Sequence, residues 1–231
     1  MILHIPHSAI KMLDGVEVKD LIKNQFMLTD WYTDELFYHE SAEPIVFPYS
    51  RFSVDVERLE ENDPMDKYGM GILYKNDVFG YQIKRYNKDC MNIYHDHHHK
   101  LNQTVNKYLS YFEKVFIVDC HSFSDEHFDW TSPDLYTLPD ICIGVDETQT
   151  PMALVNDLTT YFKQFFSDIR VNEPYSGTII PSWFVNNNNV CSIMIEVNKN
   201  LYMDGDYKNN SFEKIQKILT DGLGIIHDYE N

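Results

Sequence analysis

The chain has 231 residues, of which 43% are hydrophobic and 24% are charged, and these are the proportions of a globular protein with one sizeable α/β core. Its formal net charge of −17 at pH 7 argues against nucleic acid and anionic membranes as partners, because both bind basic surfaces. A small anionic substrate is not excluded, since a few arginines in a cleft can dominate the local electric field.

The sequence shows no sign of a membrane span or of export. No stretch approaches the roughly 20 consecutive apolar residues of a transmembrane helix. Residues 1–7 lack the basic segment and the apolar run of a signal peptide. The four cysteines are scattered without a CxxC pair, which favours reduced, mostly buried thiols. We therefore expect a cytoplasmic protein.

The first half of the chain contains both helical and strand patterns. In chain order they predict strands at 3–5, 44–47 and 52–56, a helix at 31–39, a long loop at 60–80 and helical segments within 81–112. Thr29 or Asp30 could cap the helix at 31–39. The strand at 52–56 rests on a period-two alternation that places Phe52 and Val54 opposite Ser53 and Asp55.

The second half alternates strands with helices. The predicted elements are strands at 115–118, 141–145 and 191–197 and helices at 154–166 and 212–227. The run from Val115 to Val118 is wholly apolar, which is typical of a parallel strand buried on both faces. This alternation predicts an α/β fold with a mixed, mainly parallel sheet flanked by helices. Because no repeat or linker interrupts the pattern, we predict one domain over residues 1–231.

Three chemically active side chains are predicted to lie at strand ends. His7 follows the first strand, His121 follows the strand at 115–118, and Glu196 lies near the end of the strand at 191–197. Sites in open α/β sheets form beyond the carboxyl ends of the strands. Two imidazoles and a carboxylate are the usual ligands of a catalytic zinc, and a further carboxylate can take a proton from water. Burying a carboxylate without a partner costs several kcal/mol, so Glu196 is either paired or functional.

A series of short motifs also resembles a known family. They are, in order, Pro6-His7-Ser8, Thr29-Asp30-Trp31, Ser50-Arg51, Val54-Asp55-Val56-Glu57-Arg58, Asp119-Cys120-His121-Ser122, Ile195-Glu196-Val197 and Leu201-Tyr202-Met203-Asp204. Together they look like the N-formylglutamate amidohydrolase (N-formylglutamate deformylase) family, over residues 5–204. That family is related to the zinc carboxypeptidases, and the resemblance implies their phosphorylase/hydrolase-like fold.

The resemblance implies one zinc ion. His7 and His121 would be ligands, and Glu196 would be the catalytic base that accepts a proton from a zinc-activated water. In carboxypeptidases a carboxylate ligand follows the first histidine by three residues, but that position here is an isoleucine. Asp30 is therefore the preferred third ligand, and Asp55 and Glu57 are its rivals.

The resemblance also implies a substrate-binding set. Arg58 would hold a substrate carboxylate, and Arg51 is a plausible second anion contact. Within the histidine-rich run at 94–99, His98 matches a family pattern and would line the pocket, whereas the other histidines are expected to be exposed to water. Gly177 lies in a loop at 174–178 that resembles a family loop, where a glycine suggests positive φ or a close backbone approach.

The implied activity is hydrolysis of the amide bond of N-formylglutamate or of a similar small anionic N-acyl amino acid. Glu57 stands where many family members have asparagine. Its negative charge beside Arg58 is expected to weaken carboxylate binding or to reorient the arginine, which bears on the identity of the substrate more than on the hydrolytic reaction. Two alternatives remain open. One is a peptidase or peptidoglycan-type amidase on the same scaffold, and the other is a non-catalytic binding protein that kept the fold.

Overall fold

The computed structural model describes residues 1–124 and 137–230, which form a mixed α/β structure. The strands are β1 (Ile2–Ile5), β2 (Val16–Glu17), β3 (Glu43–Val46), β4 (Lys84–Arg85), β5 (Val115–Phe123), β6 (Ile141–Val145), β7 (Ile169–Val171), β8 (Val190–Asn198), β9 (Met203–Asp204) and β10 (Tyr207–Lys208). The α-helices are α1 (Leu21–Leu28), α2 (Thr33–Leu36), α3 (Cys90–Leu109), α4 (Met152–Phe162) and α5 (Phe212–Asp228). The predicted fold class is confirmed.

Six strands form the central sheet in the order β3-β1-β5-β8-β6-β7. All neighbouring pairs are parallel except β6 and β8, which are antiparallel. Since β1, β5 and β8 are consecutive and parallel, their carboxyl ends meet at one edge of the sheet. That edge is where the candidate site forms.

One face of the sheet is covered by α2, α4 and α5. Strand β5 contributes Phe116, Val118 and Cys120 to this face, and the partners in α5 include Ile215 and Leu219, all buried. The alternation of side chains along β5 means that every second residue points to this core.

The opposite face of the sheet packs against α3. Its apolar part includes Ile117 of β5 and Leu101 and Val105 of α3. Because side chains alternate along a strand, Asp119 and His121 share the face of Ile117, nearer the carboxyl edge. The face covered by α3 therefore changes from apolar to polar toward the site.

A second apolar cluster lies beside the sheet and contains Phe52, Val54 and Val56. The strand predicted at 52–56 is wrong, because this segment forms consecutive turns. Its backbone bonds locally, from Ser53 N to Ser50 O at 2.8 Å, and across to the long loop, from Asp55 N to Ile72 O at 2.8 Å. The apolar residues are buried in this cluster rather than on one face of a sheet.

The helix predictions need three corrections. The helix predicted to begin near residue 81 begins at Cys90, because residues 84–85 form a strand that pairs with β2. The predicted helix at 31–39 shortens to Thr33–Leu36, and the helix Leu21–Leu28 was not predicted. Among the described residues, none of these helices has the length and apolar character needed to cross a membrane.

Candidate metal centre and cavity

Strand pairing brings the predicted site residues together. His121 lies inside β5 rather than after it, and it is the register partner of Glu196 on β8. His7 follows β1, the other neighbour of β5. The segment after α1 joins them through a hydrogen bond from Asp30 N to His7 O at 3.0 Å. His7, Asp30, His121 and Glu196 are all buried.

The His7 ring is held by a buried carboxylate. Its Nε2 lies 2.8 Å from Asp55 Oδ1, and Asp55 is completely buried. A carboxylate accepts the Nε2 proton, so the lone pair of a neutral ring is on Nδ1. Nδ1 is buried without a hydrogen-bond partner among the described residues and lies 3.8 Å from Asp30 Oδ2.

The His121 ring has a similar environment. Its Nε2 lies 3.1 Å from Asp119 Oδ1, and its Nδ1 lies 3.1 Å from Asp30 Oδ2. Asp119 in turn accepts a hydrogen bond from His4 Nδ1 at 2.7 Å, and His4 Nε2 lies 2.9 Å from His97 Nε2. The two rings nevertheless differ in which nitrogen is hydrogen-bonded. In His121, Nδ1 is bonded to Asp30, whereas Nε2 has no hydrogen-bond partner among the described residues, although Asp119 Oδ1 and Glu57 Oε1 lie 3.1 and 3.3 Å from it.

Asp30 is not the helix cap that the sequence also allowed. Helix α2 is preceded by Tyr32, and no side chain caps it. The Asp30 carboxylate instead accepts hydrogen bonds from His121 Nδ1 and from Ser122 N at 3.3 Å. Burial opposes ionisation, but the hydrogen bonds of His121 and His7 hold the pKa of Asp30 well below its usual value.

His7, Asp30 and His121 could hold a metal ion, since their donor atoms lie within 4.8 Å of one another. Glu57 belongs to two alternative sets, one with His7 and Asp55 and one with His121 and Asp119. His7 Nδ1 and His121 Nε2 are both buried without a hydrogen-bond partner among the described residues, which suits nitrogens that bind a cation. Burial lowers the pKa of His121, but the carboxylates of Glu57 and Asp119 outweigh this effect and raise that pKa well above its usual value. The cluster therefore favours positive charge.

Glu196 lies beside the donor set. It is 7% exposed, and its Oε2 has no hydrogen-bond partner among the described residues. Burial raises its pKa to about 8, the charge of His121 opposes the increase, and the charge of Asp30 adds to it. A carboxyl group with such a pKa can exchange a proton near neutral pH.

The donor set opens into a cavity of about 220 Å³. The described residues that line it are His7, Met27, Leu28, Asp30, Arg51, Glu57, Arg58, Met65, Met70, His121, Ser122, Phe123, Ser124, Tyr175, Ser176, Met194, Glu196 and Lys199. Both predicted arginines, all three preferred metal ligands and the predicted base thus surround one space. Its volume is below the about 300–1,000 Å³ typical of drug-sized sites, which suits a small molecule.

The two arginines differ in what already binds them. Arg51 donates from Nε to the Tyr74 hydroxyl at 2.9 Å and from Nη2 to Asp55 Oδ2 at 3.0 Å. Its Nη1 points to Leu28 O at 3.4 Å. Arg58 has its Nε 3.3 Å from Asp55 Oδ2 and its Nη2 3.9 Å from Glu57 Oε2. Both contacts are ion pairs, and neither its Nε nor its Nη atoms form a hydrogen bond to the described residues.

The histidine-rich run in α3 is only partly exposed. His97 is buried against His4, so the prediction that it is exposed is wrong. His98 is not among the described residues that line the cavity, and its ring lies 4.3 Å from that of Tyr94. Tyr94 donates from its hydroxyl to Arg58 O at 2.7 Å, so the ring contact connects His98 to the backbone of Arg58.

Gly177 also lies outside the cavity lining, whereas Tyr175 and Ser176 of its loop contribute to it. Its φ of 84° is the left-handed conformation that the sequence suggested. The loop approaches β6 closely at Gly144, where a Cβ atom would collide with Gly177 O.

Sequence reasoning missed Asp119 and His4 as parts of the site. The signal was available in Asp119, because it lies two residues before His121 in an apolar strand and so shares its face. It missed Lys199 as well, which follows β8 and donates from Nζ to Thr29 O at 2.6 Å. No sequence pattern pointed to His97 as a partner of His4.

Comparisons with a family model and with solved structures place the chain among known proteins. A family model described as FGase, N-formylglutamate amidohydrolase, matches residues 1–203. The crystal structure of N-formylglutamate amidohydrolase from Ralstonia eutropha JMP134 has a TM-score of 0.81 and 19% identity, with 99% of this chain and 93% of that chain covered. The gene product Atu2144 from Agrobacterium tumefaciens has a TM-score of 0.65 and 15% identity, with 98% and 91% covered. No curated protein matches.

Proposed function

Because the chain belongs to the N-formylglutamate amidohydrolase family, we propose that it hydrolyses the amide bond of a small N-acyl amino acid with the help of one zinc ion. The observation that carries this proposal is the group of His7, Asp30 and His121, whose donor atoms face one another beside the buried Glu196. The family supports an amidohydrolase, and the identity of the metal and the residue roles are our inference.

The zinc ligands in this proposal are His7 and His121, together with the Asp30 carboxylate. Zinc, when bound, acts as a Lewis acid that lowers the pKa of water and polarises a carbonyl group. Asp55 and Asp119 then orient the two histidines, since each lies within 3.1 Å of a ring nitrogen. This is why we prefer Asp30 to Asp55 as the third ligand.

Glu196 is the proposed catalytic base. Its carboxylate accepts a proton from the attacking water and then donates it to the leaving nitrogen as the C–N bond breaks. The water oxygen becomes part of the released acid, and the amine leaves neutral. Glu196 is buried, and its Oε2 has no hydrogen-bond partner among the described residues, so this oxygen can hold the proton between the two steps.

Arg58 is the proposed carboxylate-binding residue, because its Nη atoms form no hydrogen bond to the described residues and Nη2 has only a 3.9 Å ion pair with Glu57, which leaves them able to make a bidentate contact. Arg51 contributes its charge and orients Asp55. We propose that His98 and Gly177 act on substrate binding indirectly. His98 supports Tyr94, which holds the backbone of Arg58, and Gly177 shapes the loop that carries Tyr175 and Ser176.

The test is the variant Glu196→Gln. Metal analysis of the purified wild type should find one zinc per chain, and the variant should keep it. Hydrolysis of N-formyl amino acids should fall by about 10²–10⁴-fold in the variant, the range for a lost general base. The control is Glu213→Gln on the exposed side of α5, which should retain full activity. Wild-type turnover in Glu196→Gln would refute the role of this residue.

The two alternative functions give other results. A peptidase would cleave peptides but not N-formyl or N-acyl amino acids, and the small cavity disfavours an extended substrate. A non-catalytic binding protein would show no hydrolysis of either class in the zinc-loaded state. Either outcome would overturn the proposed function.

A further inference from the structure

We propose that the amino-acid part of the substrate carries one carboxylate and an apolar side chain, so that N-formylmethionine is a better substrate than N-formylglutamate. This inference rests on the proposed function, because it concerns the substrate of the same site. It follows from the number of guanidinium groups that remain available and from the chemistry of the cavity wall.

The cavity offers one available guanidinium group. Arg51 is bound through Nε, Nη1 and Nη2 to Tyr74, Leu28 O and Asp55. Displacing it would leave the completely buried Asp55 with fewer partners. Arg58 can bind one carboxylate through its Nη atoms. Among the described residues, the two arginines therefore provide a partner for the α-carboxylate of an amino acid but not for a second carboxylate.

Apolar side chains make up a large part of the described cavity lining, and three of them, Leu28, Met65 and Met70, belong to the apolar cluster beside the sheet. Five aliphatic side chains line the cavity, and they are Met27, Leu28, Met65, Met70 and Met194. Phe123 adds an aromatic ring. Methionine is flexible and polarisable, so a group of methionines adapts to an apolar ligand of irregular shape. A carboxylate placed against them would lose its hydration without gaining a partner.

Part of this apolar lining is connected to the segment that carries Arg58. Asp63 accepts hydrogen bonds from Leu59 N and from Met65 N, both at 2.7 Å. Met70 N in turn donates to Met65 O at 3.1 Å. The part of the long loop that carries the two methionines is thus connected to Leu59, the residue after Arg58, and the side chains of Arg58 and of both methionines line the same cavity. We therefore expect the side chain of a substrate whose carboxylate binds Arg58 to reach them.

The charged residues at this end of the cavity do not favour a second carboxylate. Glu57 lies 3.9 Å from Arg58 Nη2, measured from Oε2, and would repel it. Lys199 is the remaining Lys or Arg among the described lining residues, and its Nζ donates to Thr29 O at 2.6 Å in a buried position. Its contact holds the segment before Asp30 rather than the apolar lining.

The first experiment compares N-formyl derivatives of methionine, leucine, glutamine and glutamate with the zinc-loaded protein. We expect kcat/KM for N-formylmethionine to exceed that for N-formylglutamate by at least about tenfold, which corresponds to about 1.4 kcal/mol. Glutamine has nearly the shape of glutamate without its charge, so kcat/KM for its N-formyl derivative should lie between the values for the methionine and glutamate derivatives. Equal or greater kcat/KM for the glutamate derivative would overturn the inference.

A binding experiment distinguishes this inference from the proposed function. Calorimetry with zinc-loaded Glu196→Gln measures affinity for the same compounds without turnover. Tighter binding of N-formylmethionine with no hydrolysis by the wild type would support the apolar site and refute the proposed function. Hydrolysis with tighter binding and higher kcat/KM for N-formylglutamate would support the function and refute the apolar site.

A substitution in the apolar lining should reverse the preference. Met65 is only partly buried, so Met65→Lys can fold and place an ammonium group at the wall. We expect its ratio of kcat/KM for the glutamate derivative over the methionine derivative to rise at least about tenfold. The matched control is Met152→Lys at the exposed start of α4, which should leave the ratio unchanged. An unchanged ratio in Met65→Lys would contradict a side-chain site at this wall.

Discussion

Single buried carboxylates determine how the candidate metal ligands are oriented. Asp55 and Asp119 are each 0% exposed, and each lies within 3.1 Å of a ring nitrogen of a candidate ligand histidine. A buried carboxylate of this kind fixes the ring orientation and makes the other nitrogen a better ligand. Asp119 also contacts His4, which connects the site to α3.

The variant Asp119→Asn tests this role. We expect zinc affinity to fall by about 10–100-fold, because an amide neither carries the charge nor fixes the His121 ring as well. A chelator competition assay measures the affinity. Asp206→Asn at an exposed position is the control and should bind zinc as the wild type does. Unchanged affinity in Asp119→Asn would show that the contact is not needed for metal binding.

His97 gives the protein a predicted dependence on pH. Burial lowers its pKa to about 2, and the neighbouring His4, His98 and Lys100 add to this effect. The folded state therefore keeps His97 neutral, whereas the unfolded chain protonates it below pH of about 6.5. Since the unfolded state then binds more protons, this residue costs stability as the pH falls.

Between pH 6.5 and pH 5 the expected cost is about 2 kcal/mol of the free energy of unfolding. His97→Gln can still donate a hydrogen bond to His4 but cannot be protonated, so it should lose less stability over this range. Urea unfolding at both pH values, with a chelator present, measures the difference. Identical pH dependence in the two proteins would contradict a neutral His97.

At the scale of elements, α4 and α5 fit together through a glycine. A Cβ atom on Gly222 would lie 3.0 Å from Cζ of Phe162, whose ring is completely buried. Two residues later in α5, a Cβ atom on Gly224 would meet only His39 Nε2, at 3.9 Å. The same helix thus offers two glycines with different surroundings.

Replacing each glycine by alanine separates helix propensity from packing. Gly224→Ala should raise the free energy of unfolding by about 0.5–1 kcal/mol, because alanine restricts the unfolded chain and favours a helix. Gly222→Ala gains the same preference but crowds Phe162, so it should be about 1–3 kcal/mol less stable than Gly224→Ala. Chemical denaturation compares the two. Equal free energies of unfolding for the two variants would mean that α4 and α5 accommodate the added Cβ atom at residue 222 without cost.

At the scale of the whole molecule, we propose that the chain unfolds as one domain. The central sheet is shared, since β1, β5 and β8 carry the site and also pack on both layers of helices. The candidate ligands come from three separate segments, which a metal ion would connect. Zinc should therefore stabilise the whole fold rather than one part of it.

Calorimetry with and without zinc tests this proposal. We expect one thermal transition, and free zinc at 100 times its dissociation constant should add about 2.7 kcal/mol to the free energy of unfolding. Treatment with a chelator should reverse the change. Two separate transitions would refute the single domain, and a midpoint that does not respond to zinc would refute the metal centre.

The sequence by itself determined the fold class and most of the elements that carry the site. The apolar strands around His121 and Glu196 were readable because strands buried on both faces lack polar positions. The motifs also identified the family, since residue types such as His7 and Arg58 recur in it at matching positions. The pattern was misleading at 52–56, where alternating apolar residues are buried by a loop rather than by a sheet.

Only the tertiary structure separated the candidate metal ligand from its rivals and the proposed substrate-binding arginine from the structural one. The sequence favoured Asp30 as the third ligand but left Asp55 and Glu57 as rivals, and the contact of Asp55 with His7 Nε2 separates it from Asp30. The difference between Arg51 and Arg58 likewise depends on Tyr74 and Leu28, which are distant in sequence. The physical reason is that side-chain periodicity reports which face a residue occupies, whereas hydrogen-bond partners and charges depend on segments that folding brings together.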